Sequence, residues 1–238
     1  RMIQGSDYIG FTNKRLMADI IQWDIKSWQE ALRFWEENVK WDKVRNALEL
    51  GAHRGGLSLW LALKGKEVVC SDIGDPKRYA QPLHNKYKVG DLIDYKAIDA
   101  TSMPYENCFD LVVFKSIIGG IGIRGGLQKQ QQVFNQIFKA LRPGGYLLFA
   151  ENLRATAFHM ILRRAFMKRG KDWRYVSINE MKTFLKEFSC FIIKTTGFLA
   201  TLGRNESQRT LLSILDAAVF NRILPDDWKY IAFGIAVK

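Results

Sequence analysis

A short glycine-rich tract carries the clearest chemical signal in the sequence. It reads ELGAHRGG over residues 49–56, with Glu49 first, Gly51 two residues later and Gly55 four residues after that. Glycine permits a sharp turn and lets a ligand approach the backbone closely. The tract differs from a dinucleotide-binding turn because His53 occupies the place of the middle glycine, and it lacks the Gly-Lys-Ser/Thr ending of a phosphate-binding loop. Because Glu49 would repel a phosphate group, the tract predicts a ligand without phosphates.

The chain around this tract alternates short apolar runs with helical patterns, which is typical of βα units and a mostly parallel sheet. Strands are predicted at residues 44–50, 67–71, 94–98, 109–114, 146–150, 190–196 and 230–237. Helices are predicted at 57–64, along 127–141, at 178–188 and over 208–223. The glycine tract therefore joins the first strand to the first helix, at the edge where open parallel sheets bind ligands.

The segment before residue 44 has a different character. Ser27 and Glu30 have the spacing of a capping box, which predicts the start of a helix. The apolar residues that follow at helical spacing are Trp28, Ala31, Leu32, Trp35 and Val39. We therefore expect a helical extension over residues 1–43 ahead of a ligand-binding domain over residues 44–238. The apolar stripe either packs on the sheet or lies as a lid over the ligand cleft, and the two arrangements are compatible.

The glycine tract resembles motif I of the class I S-adenosylmethionine-dependent methyltransferases, Asp/Glu-x-Gly-x-Gly-x-Gly. Three of its four positions match, and His53 stands at the middle glycine. Asp72 after the second strand, the pair Asp99-Ala100 after the third and the turn at 141–145 before the fifth extend the match. The resemblance implies a Rossmann-like α/β sandwich of three layers. Its seven-stranded sheet is mostly parallel, with the last strand antiparallel.

The same resemblance implies S-adenosylmethionine as the cofactor. It assigns the ribose hydroxyls to Asp72, whose carboxylate only accepts hydrogen bonds, and the adenine to Asp99 and Ala100. The remaining residues expected at the cofactor are Glu49, Gly51, Ala52, His53, Gly55, Ile73 and Lys115. The acidic Glu49 suits the cationic methionine end of this molecule. No metal site is expected, because the three cysteines lack the spacing of a zinc site.

Methyl transfer is an in-line displacement, so a protein mainly aligns the acceptor and excludes water. A base is needed only when the acceptor is a hydroxyl or a protonated amine. His159, nine residues after the predicted fifth strand, is a candidate because an imidazole titrates near neutrality. Its helix is amphipathic, with Phe158 and Ile161 among the apolar residues, so the alternative is a structural histidine.

Two other positions near strand ends are also candidates. Glu151, at the tip of the fifth strand, is the second candidate base. After the fourth strand, residues 114–117 read Phe-Lys-Ser-Ile, without the Asp/Asn-Pro-Pro-Tyr of amine methyltransferases or the Pro-Cys of cytosine methyltransferases. Lys115 in this stretch is either solvated or faces an acidic substrate. His84 is expected on an exposed helix.

The charge distribution bears on the acceptor. The chain has 36 Lys and Arg against 24 Asp and Glu, and residues 154–174 hold seven cations and one acid. This segment is either a solvated face or a site for a phosphorylated or uronic acceptor, an anionic membrane surface or nucleic acid. We expect O-methylation of a small anionic saccharide or metabolite, because the chain is similar to bacterial methyltransferases of surface-polysaccharide or secondary-metabolite pathways.

Two alternatives stay open, an RNA methyltransferase and a catalytically silent cofactor-binding module. The sequence predicts neither a signal peptide nor a membrane-spanning run, so the expected location is the cytoplasm. It leaves the oligomeric state open.

Overall fold

A seven-stranded sheet forms the centre of the computed structural model, which describes residues 12–166 and 170–238. The strands are β1 Asn46–Leu50, β2 Glu67–Asp72, β3 Ile93–Ala97, β4 Phe109–Lys115, β5 Leu141–Asn152, β6 Cys190–Thr196 and β7 Ile231–Val237. Their order across the sheet is β3-β2-β1-β4-β5-β7-β6. Strands β1 to β5 pair in parallel, and β7 runs antiparallel to both β5 and β6. The predicted sheet with an antiparallel last strand is confirmed.

Helices cover both faces of this sheet. They are α1 Lys14–Ile21, α2 Ile25–Asn38, α3 Gly56–Leu63, α4 Pro76–Lys86, α5 Ile118–Ala140, α6 Ala157–Phe166, α7 Ile178–Phe184 and α8 Glu206–Leu215, which continues through a π-helical turn into α9 Asn221–Ile223. Alternate residues of β4 belong to two different apolar clusters, Leu111 and Val113 to one and Val112 and Phe114 to the other. The sheet is therefore the middle of three layers. None of the helices in the described ranges is long and apolar enough to cross a bilayer.

The N-terminal helices pack on the sheet. The whole predicted stripe, from Trp28 to Val39, is buried in the same cluster as residues of β1 and β7. Trp35 Nε1 donates a hydrogen bond to the carbonyl oxygen of Gly234 in β7 at 2.9 Å. The expected stripe on the sheet is thus present, and the lid role stays a prediction.

The predicted start of α2 at Ser27 is wrong. The helix begins at Ile25, and Ser27 Oγ lies 2.8 Å from Ser213 Oγ of α8 instead of capping its own helix. The backbone N–H groups of Asp24 and Ile25 donate to the two carboxylate oxygens of Glu206, at 3.0 and 2.6 Å. A carboxylate at a helix N-terminus satisfies free N–H groups, so this distant residue supplies the cap.

Helix α6 presents apolar side chains to solvent. Phe158 and Ile161 are 53% and 65% exposed, whereas His159 and Arg163 are buried. The polar side chains of this amphipathic helix, and not Phe158 and Ile161, therefore face inward. The physical reason is that Arg163 finds polar partners inside, since its Nη1 donates to the Leu153 carbonyl oxygen at 2.7 Å and its guanidinium lies 4.1 Å from the Tyr175 ring centroid.

Candidate cofactor and acceptor site

The glycine tract forms a tight turn between β1 and α3. Gly51, His53 and Gly55 all have positive φ, of 64°, 48° and 70°. A Cβ atom on Gly51 would collide with Ile117 Cγ2, and one on Gly55 would collide with the His84 ring. Histidine tolerates the left-handed conformation better than bulky or β-branched residues do, so His53 stands where the resemblance has glycine without breaking the turn.

His84 fixes this turn from beneath. The prediction of an exposed His84 is wrong, since the side chain is fully buried. The Gly55 carbonyl oxygen can only accept, so His84 Nε2 donates to it at 2.8 Å, and Nδ1 accepts from Tyr95 Oη at 2.7 Å. Burial lowers the pKa of the imidazole and favours this neutral form.

Glu49 is the second-last residue of β1, beside the turn, and is buried. Its Oε2 accepts from the Ser58 backbone N–H at 2.7 Å and from Ser58 Oγ at 2.5 Å. Burial raises the pKa of this carboxyl to about 7, although the bonds from Ser58 act in the opposite direction. A cationic ligand group next to Glu49 would favour the ionised form.

The aspartates after β2 and β3 lie along the same edge of the sheet. Asp72 Oδ2 accepts from the His53 backbone N–H at 2.8 Å, and Oδ1 accepts from the Ile73 N–H at 2.7 Å. Asp99 Oδ1 accepts from the backbone N–H and the hydroxyl of Thr101, and these bonds lower its pKa. Ile73 is 77% exposed, and Ala100 packs against a core cluster. The structure thus brings Asp72 to the turn and places Asp99 one strand further out.

A cavity of about 510 Å³ opens beside the turn. It is bounded by the α1–α2 link, the glycine turn, the ends of β4 and β5 and residues from the C-terminal half of the chain. The polar and aromatic residues that line it include Gln22, Trp23, Asp24, Glu49, His53, Lys115, Ser116, Asn152, Arg163, Trp173, Tyr175, Thr201, Arg209 and Tyr230. Glu49, Gly51, Ala52, His53 and Lys115 of the predicted cofactor set line this cavity, and Gly55, Asp72, Ile73, Asp99 and Ala100 do not.

Lys115 is the last residue of β4, and its ammonium group is buried. Its Nζ has no hydrogen-bond partner within the described part of the chain. It lies 4.3 Å from the ring centroid of Trp23 and 4.7 Å from that of Trp28. Burial lowers the pKa of this group to about 7, against the opposing effect of Asp24 and other nearby acids. The interpretation of Lys115 as a solvated lysine is therefore wrong.

Asp24 and Tyr230 form a second polar feature of the cavity that the sequence analysis did not identify. Tyr230 Oη donates to Asp24 Oδ2 at 2.5 Å, and Asp24 Oδ1 has no partner among the described residues. Burial raises the pKa of Asp24 to about 6, and the bond from Tyr230 acts against this. The two residues are 206 positions apart, so no local motif could have indicated the pair.

The two candidate bases lie outside the cavity lining. His159 Nε2 donates to the Phe198 carbonyl oxygen at 2.9 Å, and Nδ1 lies 2.7 Å from Thr156 Oγ1. Glu151 is fully buried, and its Oε2 accepts from the N–H groups of Ile117 and Ile118, at the start of α5. Burial lowers the pKa of His159 and raises that of Glu151 to about 7. These internal bonds argue against the predicted role of either residue as the base.

The predicted basic segment is divided by the fold. Arg163 is turned inward to the cavity, and Arg174 pairs with Glu180 at 2.5 Å. Arg154, Arg164 and Lys171 stay exposed, and Lys168 and Arg169 lie outside the described residues. The seven cations therefore do not act as one surface patch, and one of them contributes to the cavity.

The chain carries a recognised domain over much of this framework. Residues 48–149 match the family model described as a methyltransferase domain, from β1 into β5. Together with the strand order and the glycine turn, this match agrees with the resemblance to the class I S-adenosylmethionine-dependent methyltransferases. Residues 48–149 therefore form the methyltransferase domain of an enzyme, and the cofactor of that domain is S-adenosylmethionine.

Solved structures share the fold at low sequence identity. The MccD protein matches with a TM-score of 0.58 and 16% identity, over 87% of this chain and 96% of that chain. A phosphoethanolamine N-methyltransferase 2 from Haemonchus contortus, in complex with phosphomonomethylethanolamine and S-adenosylhomocysteine, gives 0.59 and 18% over 89% and 52%. A putative sarcosine dimethylglycine methyltransferase from Galdieria sulphuraria gives 0.61 and 15% over 88% and 85%. No curated protein matches the chain in sequence.

The residues at the turn fit this cofactor. S-adenosylmethionine has positive sulfonium and ammonium groups and no phosphate, and the buried carboxyl of Glu49 suits a cation. Gly51 and Gly55 have positive φ and leave no room for a Cβ atom against Ile117 and His84, so the turn requires glycine at both positions. The fit agrees with the prediction from the acidic and glycine residues.

Proposed function

We propose that the protein transfers a methyl group from S-adenosylmethionine to a hydroxyl group of a small anionic acceptor, such as a saccharide or a metabolite. The observation that carries this proposal is the presence of two buried cations, Lys115 and Arg163, in the lining of the cavity next to the glycine turn. Arg209 also lines the cavity but pairs with Glu206 at 3.7 Å. The volume of about 510 Å³ falls in the range of small-molecule sites.

The cations favour an acceptor with negative charge. Arg163 is 3% exposed, and no carboxylate pairs with it within the described ranges. Lys115 also lacks a partner. A buried cation is unfavourable unless it is paired, so an acceptor carboxylate or phosphate would supply the missing charge.

The cofactor residues in this proposal follow the sequence prediction. Glu49 holds the ammonium group of the methionine end, and Gly51 and His53 shape the turn against it. Asp72 accepts from the ribose hydroxyls, and Asp99 with Ala100 contacts the adenine. Support comes from the common edge of the sheet on which these residues lie. The cofactor supplies an electrophilic methyl group on a positively charged sulfur.

An amine nitrogen is the one specific alternative to a hydroxyl oxygen as the atom that accepts the methyl group. The Haemonchus contortus structure holds phosphomonomethylethanolamine, a small molecule with both a phosphate and an amine. That complex supports a small anionic acceptor on this fold and makes an amine the alternative to a hydroxyl. The expected pathway of polysaccharide biosynthesis and the cytoplasmic location stay predictions.

The experiment is a transfer assay with methyl-labelled S-adenosylmethionine and fractionated small molecules from a bacterial extract. We expect label in an anion-exchange fraction, in a product one methyl group heavier that resists the acid treatment that would cleave a methyl ester. Asp72→Ala serves as the control with weakened cofactor binding. Label in the RNA fraction would support the RNA alternative, and cofactor binding without any product would support a silent module.

A further inference from the structure

The helix that runs from α8 through the π-helical turn into α9 has polar side chains inside and apolar side chains outside. Ser213 and Asp216 are buried, and the Asp216 carboxylate accepts from the backbone N–H groups of residues 198–200. The large apolar side chains on the outside are 44% to 69% exposed, and they are Leu211, Ile214, Leu215, Val219 and Ile223. Because residues three or four positions apart share a face of a helix, these side chains form one exposed apolar stripe.

Helix α6 has the same inverted arrangement and lies beside this helix. Phe198 joins the two helices. Its carbonyl oxygen accepts from His159 Nε2 of α6 at 2.9 Å, and its ring stacks on Phe220 of the π-helical turn with centroids 5.8 Å apart. Phe158 of α6 lines a shallow surface depression together with Phe198 and Trp228. We call the exposed apolar side chains of this region the outer apolar face, and its residues are Phe158, Ile161, Leu211, Ile214, Leu215, Val219, Ile223 and Trp228.

The outer apolar face is unfavourable in water unless a partner covers it. Apolar side chains that are exposed singly are ordinary on protein surfaces, whereas a set of them on two neighbouring helices marks an interaction site. The orientation of both helices is fixed from inside, by the hydrogen bonds of His159 and Asp216. We propose that the outer apolar face docks on the surface of an anionic lipid bilayer, where its side chains insert between the lipid headgroups.

The charges around the outer apolar face are complementary to an anionic surface. The exposed cations on the two helices or shortly before them are Arg154, Arg164, Arg204 and Arg222. The acids of the same helices face other parts of the protein, since Asp216 is buried and Glu206 accepts from the start of α2. In the segment that follows, Asp226 pairs with Lys229 at 3.0 Å, and Asp227 is exposed. Cations therefore outnumber exposed acids here, and each basic residue close to an anionic membrane adds to the attraction.

A second copy of the chain and a nucleic acid fit this face less well. In a symmetric contact between two copies the face meets itself, so the arginines of one copy would approach those of the other. A nucleic acid would pair with the arginines through its phosphates, but it would leave the aliphatic side chains without an apolar partner. A bilayer supplies both kinds of contact, because its anionic headgroups lie directly above an apolar interior.

Docking through this face would bring the cavity close to the bilayer. Arg163 of α6 and Arg209 of α8 line the cavity, whereas the outer sides of the same helices carry the apolar face. One helix, about 10 Å across, would therefore separate the cavity from the headgroups. The inference does not depend on the proposed acceptor, because it concerns where the protein binds and not which atom it methylates.

Vesicle flotation tests the proposal with the full chain, in the absence of cofactor and acceptor. We expect the wild type to bind vesicles of phosphatidylglycerol and phosphatidylcholine at least about tenfold more tightly than vesicles of phosphatidylcholine alone. An increase from about 0.1 M to about 1 M salt, which shortens the Debye length from about 10 Å to about 3 Å, should weaken this binding. Equal affinity for both kinds of vesicle, or binding to neither, would overturn the proposal.

The apolar contribution is tested by combining Leu215→Gln with Ile223→Gln. Both side chains are exposed, so the variant should keep the melting temperature of the wild type. Its affinity for the anionic vesicles should fall at least about tenfold, because fewer apolar groups enter the bilayer. The matched control combines Ile123→Gln with Leu127→Gln, two similarly exposed residues of α5 outside the outer apolar face. The control should bind like the wild type, and wild-type affinity in the first variant would contradict the proposal.

The charge contribution is tested by combining Arg164→Gln with Arg222→Gln. This variant should bind the anionic vesicles less tightly at about 0.1 M salt and depend less on the salt concentration than the wild type. The control combines Lys77→Gln with Arg78→Gln, which are exposed cations of α4, and it should keep the salt dependence of the wild type. An unchanged salt dependence in the first variant would show that its arginines do not face the membrane.

Light scattering without vesicles distinguishes the bilayer from a second copy. We expect a monomer for the wild type and for the variant that combines Leu215→Gln with Ile223→Gln. A wild-type dimer that dissociates in this variant would show that a second copy covers the face, and it would overturn the proposal. Retention of the wild type on RNA without any binding to vesicles would also overturn it, and would assign the arginines to a nucleic acid.

Discussion

Two parts of the cavity lining are built in different ways. The glycine turn with Glu49 is the proposed cofactor wall, and Asp24, Lys115 and Tyr230 belong to the proposed acceptor wall. On the cofactor wall, the contacts join residues that are close in sequence, and the carboxylate of Glu49 has partners on Ser58. On the acceptor wall, the residues come from segments up to 206 positions apart. The buried side-chain atoms without a hydrogen-bond partner in the described chain belong to Asp24, Trp28 and Lys115, all on or beside this wall. Buried polar atoms without a partner require an explanation, and under the proposed function an acceptor would supply the partners on this wall.

The largest effect is expected on the cofactor wall, in Gly51→Ala. The added Cβ collides with Ile117 and the positive φ is unfavourable for alanine, so we expect a loss of roughly 2–5 kcal/mol of unfolding free energy. Cofactor affinity should fall with it. Gly65→Ala is the matched control, because Gly65 also has positive φ but nothing within 4 Å. Both variants carry the cost of positive φ, so the difference between their losses of unfolding free energy, measured by denaturant unfolding, reports the Ile117 contact alone. Equal losses would show that the turn is not closely packed.

The next effect is expected in Asp72→Ala. Ribose hydroxyls without an acceptor should lower the affinity for S-adenosylmethionine by about 1–3 kcal/mol. Asp75→Ala is a nearby control, since Asp75 caps α4 by accepting from the Arg78 N–H. That variant should lose helix stability and keep its affinity. Calorimetric titration distinguishes the two, and an unchanged dissociation constant in Asp72→Ala would remove Asp72 from the cofactor site.

A smaller effect, of opposite sign, is expected on the acceptor wall. Lys115→Met replaces a buried cation that has no partner, so the unliganded protein should gain about 1–2 kcal/mol of unfolding free energy at pH 7. Folding lowers the pKa of Lys115 from 10.5 to about 7, so the unfolded chain binds more protons between these values. Wild-type stability should therefore rise with pH across this window relative to Lys115→Met. A parallel pH dependence of the two proteins in thermal unfolding would mean that Lys115 is solvated after all.

The smallest effect on transfer is expected from His159→Gln. The bonds of His159 to Thr156 and Phe198 indicate a structural role, so the variant should lose roughly 1–3 kcal/mol of stability. The folded fraction should keep kcat within about tenfold of the wild type, which is about 1.4 kcal/mol. A loss of 1000-fold or more (about 4 kcal/mol) in kcat would restore His159 as the base.

The glycine turn and the strands around it could be predicted from the sequence because their signals are local. The turn at Gly51 and the acid at Asp72 each follow directly on an apolar strand, and the periodicity placed β6 at residues 190–196 as observed. The acceptor wall could not be predicted in this way. Ser27 looked like a cap because the competing carboxylate, Glu206, is far along the chain. Lys115 looked solvated because the tryptophans that cover it lie in the N-terminal segment.

Helix α6 shows a further limit of reading periodicity. An apolar face is expected inward only when the polar face lacks partners there. His159 and Arg163 find carbonyl oxygens at Phe198 and Leu153, so the helix turns these side chains inward and leaves Phe158 exposed. Such partners depend on the tertiary fold, and no local pattern indicates them.

The cap that Glu206 provides for α2 has a consequence for synthesis on the ribosome. The chain that forms the cofactor turn is complete once β4 has emerged, whereas the start of α2 lacks its cap until about ninety further residues have been added. Domains tend to form from the N-terminal side as they are translated. A nascent chain halted before residue 206 would therefore contain the residues of the glycine turn but lack both the cap of α2 and strand β7, to which α2 is hydrogen-bonded.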